Sequence, residues 1–361
     1  MVSGFSLLVI VVVMALVFDY INGFHDTANA IATVVSTNVL APRTAILMAA
    51  VFNFVGAFTG VSVAKMIGGG IASPDSITQT VVISALGGAI VWNLITWYFG
   101  IPSSSSHALV GGIVGAVLCH RVLDDGRDVG ATFMELATSK GVVTVVKFLV
   151  ISPLLGLIMG FIIMILLLWI VRRKAPSRVN RAFKHLQLVS AGMMALSHGS
   201  NDAQKAMGIV TMALVGYYAK NPADAPAWVD LAAWSAKKDL VVPSWVILAC
   251  ASAMALGTSA GGWRIMKTMG HKIIKLKPIN GFAAESAGAI VIMVATHRFG
   301  APVSTTHVIS ASIMGVGASK RVSAVRWGLA GNIALAWVLT IPIAALVSGL
   351  LYIVLRAIVH E

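Results

Sequence analysis

The stretch Asn22-Gly23-Phe24-His25-Asp26-Thr27-Ala28-Asn29-Ala30-Ile31-Ala32-Thr33 decides how this chain folds. It follows an apolar run from Leu7 to Phe18 that is typical of a membrane helix. An unsatisfied polar group is costly in hydrocarbon, so the acid, amides, imidazole and hydroxyls of this stretch must face protein or water. Ionisable groups at membrane depth indicate a functional site.

A related stretch, Ser197-His198-Gly199-Ser200-Asn201-Asp202-Ala203-Gln204-Lys205, appears later in the chain. Gly-x-x-Asp followed by an amide side chain occurs in both, at an offset of 176 positions. Two polar interruptions of apolar segments in corresponding places predict a binding site at the interface of two repeats. We therefore expect broken helices over 4–40 and 188–219, because interrupted helices are tolerated where they line a cavity.

A second pair of motifs supports the duplication. Phe99-Gly100-Ile101-Pro102-Ser103-Ser104-Ser105-Ser106-His107 returns as Phe299-Gly300-Ala301-Pro302-Val303-Ser304-Thr305-Thr306-His307, 200 positions later. The hydroxyl-rich openings of the apolar segments 100–119 and 300–319 favour re-entrant hairpins over plain spans. We predict repeat 1 over 1–171, a basic cytoplasmic linker over 172–187, and repeat 2 over 188–361.

The composition is that of a membrane protein. Of the 361 residues 58% are hydrophobic and 11% charged, and the mean hydropathy is +0.90. Runs of about 20 apolar residues, the length that spans a bilayer, recur along the chain. We predict an all-α, multi-pass protein of the plasma (inner) membrane.

The net charge of +13 does not indicate nucleic-acid binding. The basic excess gathers in 172–185 and 264–277, which hold no acid, and cytoplasmic loops carry such an excess by the positive-inside rule. Cys119 and Cys250 lie far apart in apolar surroundings and predict neither a disulfide framework nor a metal site.

Four acids fall in membrane-embedded stretches: Asp19, Asp26, Asp202 and Glu285. Asp26 and Asp202 hold equivalent repeat positions, which favours a direct function. Glu285 lies among small residues where helices approach closely, and it fits a functional site or a hydrogen-bonded buried acid. Asp19, nearer the membrane surface, fits a structural role as well as a functional one.

The two hydroxyl clusters are each expected at a helix start. Proline suits a first helical turn, and serine or threonine suits an N-cap. Free backbone N–H groups and the positive dipole end make such a start an oxyanion site. Simple capping is the alternative, but a cap needs one hydroxyl rather than the three or four present, so we predict a paired anion site.

Acids and an anion conflict unless a cation binds as well, because like charges repel strongly in a low-dielectric site. Carboxylate, amide and hydroxyl oxygens suit Na⁺ or Mg²⁺, and protonation of an acid would serve H⁺ coupling. The residues thus predict anion–cation symport. Lys205 either helps to neutralise the anion or extends to the interface.

Other functions fit less well. The histidines beside the motifs lack the ligand spacing of a transition-metal site and are expected to hydrogen-bond near the site. Ser106 and His107 are adjacent on a helix and do not face each other, so they cannot act together as nucleophile and base. A membrane-embedded hydrolase would therefore need a serine of one repeat to pair with a histidine of the other. A cation exchanger gives no reason for two hydroxyl-rich helix starts. We expect neither an enzyme nor a cofactor.

These four motifs resemble those of the inorganic phosphate transporter (PiT) family of secondary carriers, and the resemblance covers essentially the whole chain in order. It implies an inverted-repeat fold with transport and scaffold domains, a homodimer, and uptake of inorganic phosphate held between the hairpin tips and the broken helices. The phosphate-binding residues that it implies are Ser104, Ser105, Ser106, Ser304, Thr305, Thr306, Asn29 and Gln204. The implied cation-binding residues are Asp26, Asp202, Asn201 and Glu285.

The resemblance leaves two questions open. Some short family members look like sulfate carriers, although a protonated phosphate can donate to a nearby carboxylate and sulfate cannot. The coupling ion can be Na⁺ or H⁺, or the substrate can be a neutral complex of a divalent metal with phosphate.

Overall fold

A computed structural model describes residues 4–70, 77–226, 229 and 241–359. Within these ranges the longer regular elements are helices, which we number α1 to α13. Their bounds are Gly4–Ser36, Pro42–Gly56, Ser62–Gly70, Gln79–Phe99, Ser105–Leu123, Val129–Ala137, Lys140–Val171, Pro176–Lys220, Ser244–Ala260, Trp263–Lys267, Pro278–Phe299, Thr305–Ala318 and Trp327–Ile358.

Six of the described helices, α1, α4, α5, α7, α11 and α13, are long and apolar enough to cross a bilayer. The helices Ser244–Ala260 and Trp263–Gly270 are bent by 59° relative to each other, and if this pair counts as one span, the number of candidate spans rises to seven. The prediction of an all-α, multi-pass membrane protein is confirmed.

The two predicted helix breaks are wrong as breaks in the backbone. α1 runs without interruption through the opening polar stretch, and α8 is a single helix of 45 residues. Local hydrogen bonds account for this: the Thr27 hydroxyl donates to the Gly23 carbonyl at 2.6 Å, so a polar side chain is satisfied without unwinding the helix. α8 also begins at Pro176, within the predicted linker 172–187, because proline suits a first helical turn.

Both hydroxyl-rich motifs connect two packed helices. Gly100 caps the C-terminus of α4 and Gly300 that of α11, each in the left-handed conformation, with φ of 66° and 58°. A short extended segment follows each glycine and leads into α5 or α12. α12, with 14 residues, is shorter than a span, whereas α5 has spanning length. Their depth as re-entrant hairpins stays a prediction.

The two halves exchange equivalent contacts. α5 packs on α13 of the other half, where a Cβ on Gly115 would lie 2.0 Å from the Ala345 carbonyl oxygen. α12 packs on α7 in the same way, where a Cβ on Gly315 would lie 2.0 Å from the Leu157 carbonyl oxygen. Glycine is required at both positions because the backbones touch. The hairpin helix of each half therefore docks on the last long helix of the other.

α1 and α8, which carry the related polar stretches, run antiparallel. The rings of Phe5 and Tyr217 meet at 6.1 Å near one end. The Asn22 amide donates to Asp202 at 3.4 Å near the middle, and Thr37 donates to Gln187 at 2.9 Å near the other end. The polar stretches therefore cross in the interior of the fold. Equivalent helices of an inverted repeat must be antiparallel, and the inversion itself stays a prediction.

Candidate functional site

Both hairpin tips meet Asp26 of α1. Ser105 donates to one carboxylate oxygen of Asp26 at 3.3 Å, and Thr306 donates to the other at 3.4 Å. The Asn29 amide, one turn further along α1, donates to Thr305 at 3.1 Å and to Thr306 at 2.9 Å. All five side chains are buried. The structure thus brings together residues that are far apart in sequence, from both hydroxyl clusters.

One hydroxyl of each cluster caps its helix. Ser104 accepts from the backbone N–H of His107, and Ser304 accepts from that of His307, both at 3.2 Å. The capping alternative therefore accounts for these two serines. It does not account for the hydroxyls of Ser105, Thr305 and Thr306 at the first turns, where N–H groups and the positive dipole end also lie. The Ser106 hydroxyl, at the same place, donates to the Val303 carbonyl at 3.2 Å.

Asp202 lies beside Asp26 with a different set of partners. Its carboxylate pairs with the Lys205 ammonium at 2.8 Å and lies 3.5 Å from His198. One ligand atom each of Asp26, His198 and Asp202 lies within 4.8 Å of the others. Two buried carboxylates this close need positive charge between or beside them, and their hard oxygens suit Na⁺ or another hard cation.

The residues that precede the two acids connect α1 and α8 to equivalent helices. His25 binds Asp26 at 2.6 Å and Thr96 of α4 at 3.0 Å. Asn201, which precedes Asp202 as His25 precedes Asp26, donates to Thr296 of α11 at 2.7 Å. The side-chain oxygen of Asn201 is buried and has no hydrogen-bond partner among the described residues, so it remains available to a cation.

Glu285 lies in a separate polar cluster. Thr33 donates to it at 2.5 Å and Gln187 at 3.1 Å, and the Ser190 hydroxyl donates to its other oxygen. Thr33 follows Asp26 by seven residues, which is about 10 Å along α1. The predicted cation-binding residues thus divide between two places, and the part of Glu285 stays a prediction.

The structure does not bring Gln204 to the hydroxyl clusters in any described hydrogen bond. Its carbonyl oxygen accepts from the backbone N–H groups of Val63 at 2.8 Å and Ala64 at 3.4 Å, at the start of α3. Its amide donates to the Ser200 carbonyl at 2.5 Å. A side chain that satisfies two free N–H groups of a helix start serves as a cap, a role that the sequence pattern did not indicate.

Several polar residues near the site lie outside the motifs. The side-chain oxygen of Asn53 in α2 accepts from the His198 ring at 3.1 Å, and the Asn53 amide donates to Thr258 at 2.8 Å. Asn53 is a single polar residue inside an apolar segment, and that isolation is the signal by which the sequence could have indicated it. The rings of His107 and His307, 4.8 Å apart, face each other where the two hairpin helices begin.

Comparison with known proteins gives a consistent result. The sequence profile described as the phosphate transporter family matches residues 22–348. A protein of Bacillus subtilis (strain 168), described as a "probable low-affinity inorganic phosphate transporter", is 46% identical over 98% of this chain and 98% of its own length. A protein of Rhizobium meliloti (strain 1021) with the same description is 47% identical over 97% of this chain and 96% of its own length.

A solved structure shares the fold. It is named "The sodium-dependent phosphate transporter" and superposes with a TM-score of 0.80 at 24% identity, over 98% of this chain and 100% of that chain. At 24% sequence identity, this likeness shows a shared fold alone.

Proposed function

This chain belongs to the phosphate transporter family, and from that premise we propose that it is a cation-coupled inorganic phosphate symporter that works by alternating access. It is a multi-pass protein of the plasma membrane and, like its relatives, a transporter rather than an enzyme. One observation carries the proposal most: the hydroxyl-rich helix starts of both halves contact Asp26 in a buried site that also holds Asp202.

The anion is proposed to bind at the paired helix starts. Ser105, Ser106, Thr305 and Thr306 offer hydroxyl donors there, and the first turns of α5 and α12 offer backbone N–H groups. Asp26 is an acceptor at the same place, which suits a protonated phosphate because its O–H can donate to the carboxylate. Sulfate has no such proton at neutral pH. The descriptions of the relatives also favour phosphate over the sulfate alternative.

The cation is proposed to bind between Asp26 and Asp202, with Asn201 as a further oxygen ligand. It offsets the repulsion between these carboxylates and the phosphate, so the two solutes bind together more tightly than either alone. We propose Na⁺ as the coupling ion, because the structural neighbour is named as sodium-dependent. H⁺ and a neutral metal–phosphate complex are the competing outcomes of the experiment below.

The fold supports alternating access. α1 and α8 cross antiparallel at the site, and each hairpin helix packs on the other half. In inverted-repeat carriers one bundle moves against the other around a central site. We propose that the hairpins open the site to each side in turn, and that the protein is a homodimer, as the family resemblance implies.

Uptake by purified protein in proteoliposomes tests this proposal. Labelled phosphate should enter, and the rate should rise with an inward Na⁺ gradient at constant pH. Asp26→Asn and Asp202→Asn should each abolish uptake, whereas Asp128→Asn, which changes the exposed cap of α6, should not. A rate that follows the pH gradient alone assigns H⁺, and a requirement for divalent metal assigns the complex. Unimpaired uptake by both acid variants, or sulfate competing at the same concentration as phosphate, would contradict the proposal.

A further inference from the structure

Asp19 of α1 is a buried acid that the proposed transport site does not use. Its side chain is inaccessible to solvent, and neither carboxyl oxygen has a hydrogen-bond partner among the described residues. Asp19 precedes Asp26 by seven residues, which places both on the same face of α1. Burying a carboxyl group without a hydrogen-bond donor is unfavourable. We therefore expect Asp19 to have a hydrogen-bonding or charged partner in another state of the protein.

The register of α1 and α8 places Lys205 opposite Asp19. Asn22 contacts Asp202 across the two helices, which run antiparallel. Asp19 lies three residues before Asn22, and Lys205 lies three residues after Asp202. One turn beyond the first contact, Lys205 of α8 therefore lies opposite Asp19 of α1, and Asp19 is within electrostatic reach of both Asp202 and Lys205.

Lys205 occupies a carboxylate that the coupling cation needs. Its ammonium pairs with Asp202 at 2.8 Å, and only 1% of its surface is exposed. A cation that binds Asp202 must displace this ammonium, because two cations at one carboxylate repel each other. A displaced ammonium in this buried place would be very unfavourable without another acceptor. The long lysine side chain is flexible enough to turn to a neighbouring residue.

We propose that Asp19 is the alternative partner of Lys205. With Asp202 free of a cation, Lys205 pairs with Asp202. When a cation binds Asp202, the ammonium swings from Asp202 on its own helix to Asp19 on α1, and it returns when the cation leaves. Lys205 then has a carboxylate partner throughout the cycle. This inference rests on the proposed cation-coupled uptake and makes Asp19 a positioning residue, which acts on the cation through Lys205.

The experiment separates cation affinity from phosphate affinity. In proteoliposomes at constant pH, the Na⁺ concentration for half-maximal uptake is measured at saturating phosphate, and the KM for phosphate is measured at saturating Na⁺. Asp19→Asn should raise the half-saturating Na⁺ concentration about tenfold or more, since the ammonium can no longer leave Asp202 for an ionised partner. The KM for phosphate should stay within about twofold. Asp19→Glu keeps the carboxylate and should restore most of the Na⁺ affinity.

A double variant provides the decisive comparison. Lys205→Gln removes the competing ammonium, so adding Asp19→Asn to it should no longer change the half-saturating Na⁺ concentration. Asp19→Ser serves the same comparison if the Asn variant does not elute as a folded protein. Equal Na⁺ dependence of wild type and Asp19→Asn, or the same shift with and without Lys205, would overturn the proposal. Wild-type uptake without cation dependence would instead overturn the proposed function.

Discussion

Replacing Asn29 tests whether the hairpin tip is held by α1 for phosphate binding. Asn29 is buried and donates two hydrogen bonds, to Thr305 at 3.1 Å and to Thr306 at 2.9 Å. A hydrogen bond contributes about 0.5–1.5 kcal/mol net, so Asn29→Ala should cost about 1–3 kcal/mol in organising the anion site. At about 1.4 kcal/mol per factor of ten, the KM for phosphate should rise roughly fivefold to a hundredfold.

The assay is phosphate uptake in proteoliposomes at saturating Na⁺, with thermal unfolding of the same preparations followed in parallel. Asn221→Ala is the matched control, because the Asn221 amide donates to the Tyr217 carbonyl at the end of α8, away from the site. Asn29→Asp keeps the shape of the side chain but replaces the amide donor by an anion close to Asp26, and it should impair phosphate binding more than alanine does. If the KM for phosphate is unchanged in Asn29→Ala and Asn29→Asp, the hydrogen bonds to the hairpin do not organise the site.

Three further predictions concern other parts of the fold. Gly315→Ala places a methyl group 2.0 Å from a backbone oxygen of α7, so it should destabilise the protein by about 1–3 kcal/mol or more; a Tm equal to wild type would contradict the backbone contact. At Asp124, burial raises the pKa, but hydrogen bonds from Tyr352 and Arg356 outweigh it and hold the pKa below its ordinary value of 3.8. The ionised group therefore stabilises the folded state above that value and loses its effect as the pH falls further, so Asp124→Asn should lower the Tm at pH 7 by the equivalent of up to about 1 kcal/mol and leave it unchanged in acid. Glu285→Gln should lower the maximal rate of uptake and leave the KM for phosphate within about threefold of wild type. The reason is that the hydrogen bonds described for its cluster join α1, α8 and α11 away from the hairpin hydroxyls. Uptake kinetics measure both quantities, and a large rise in KM would place this acid in the anion site.

The sequence was sufficient to predict the membrane class and the residues at the hairpin tips. Hydropathy and repeated motifs depend on residue types alone, and the helix starts at Ser105 and Thr305 follow from the hydroxyl signals, since Ser104 and Ser304 are the N-caps. The proline signal was wrong in position, because Pro102 and Pro302 lie before the caps rather than in the first helical turn. The predicted breaks in α1 and α8 are wrong because a polar stretch does not require an unwound backbone. The structure satisfies these polar groups across helices, and such partners cannot be read from one segment.

The positions of Gln204 and Glu285 could not be predicted for a related reason. Gln204 lies within a motif and Glu285 lies in a stretch of small residues, yet their partners include the start of α3 and the Thr33 end of α1. A motif shows which residues are polar and in which order they occur. It does not show which helix faces each of them, because the crossing of α1 and α8 fixes that in three dimensions.

The crossing of α1 and α8 also explains why the two related polar stretches make different contacts. Asn29 and Lys205 hold equivalent positions, but Asn29 reaches the hairpin of the other half, whereas Lys205 pairs with Asp202 on its own helix. The hydroxyls of both hairpins consequently meet at Asp26, while the positive charge of Lys205 lies at Asp202. A duplicated sequence thus yields an asymmetric site. In the proposed mechanism, the first stretch organises the anion and the second carries the charge that the coupling cation must replace.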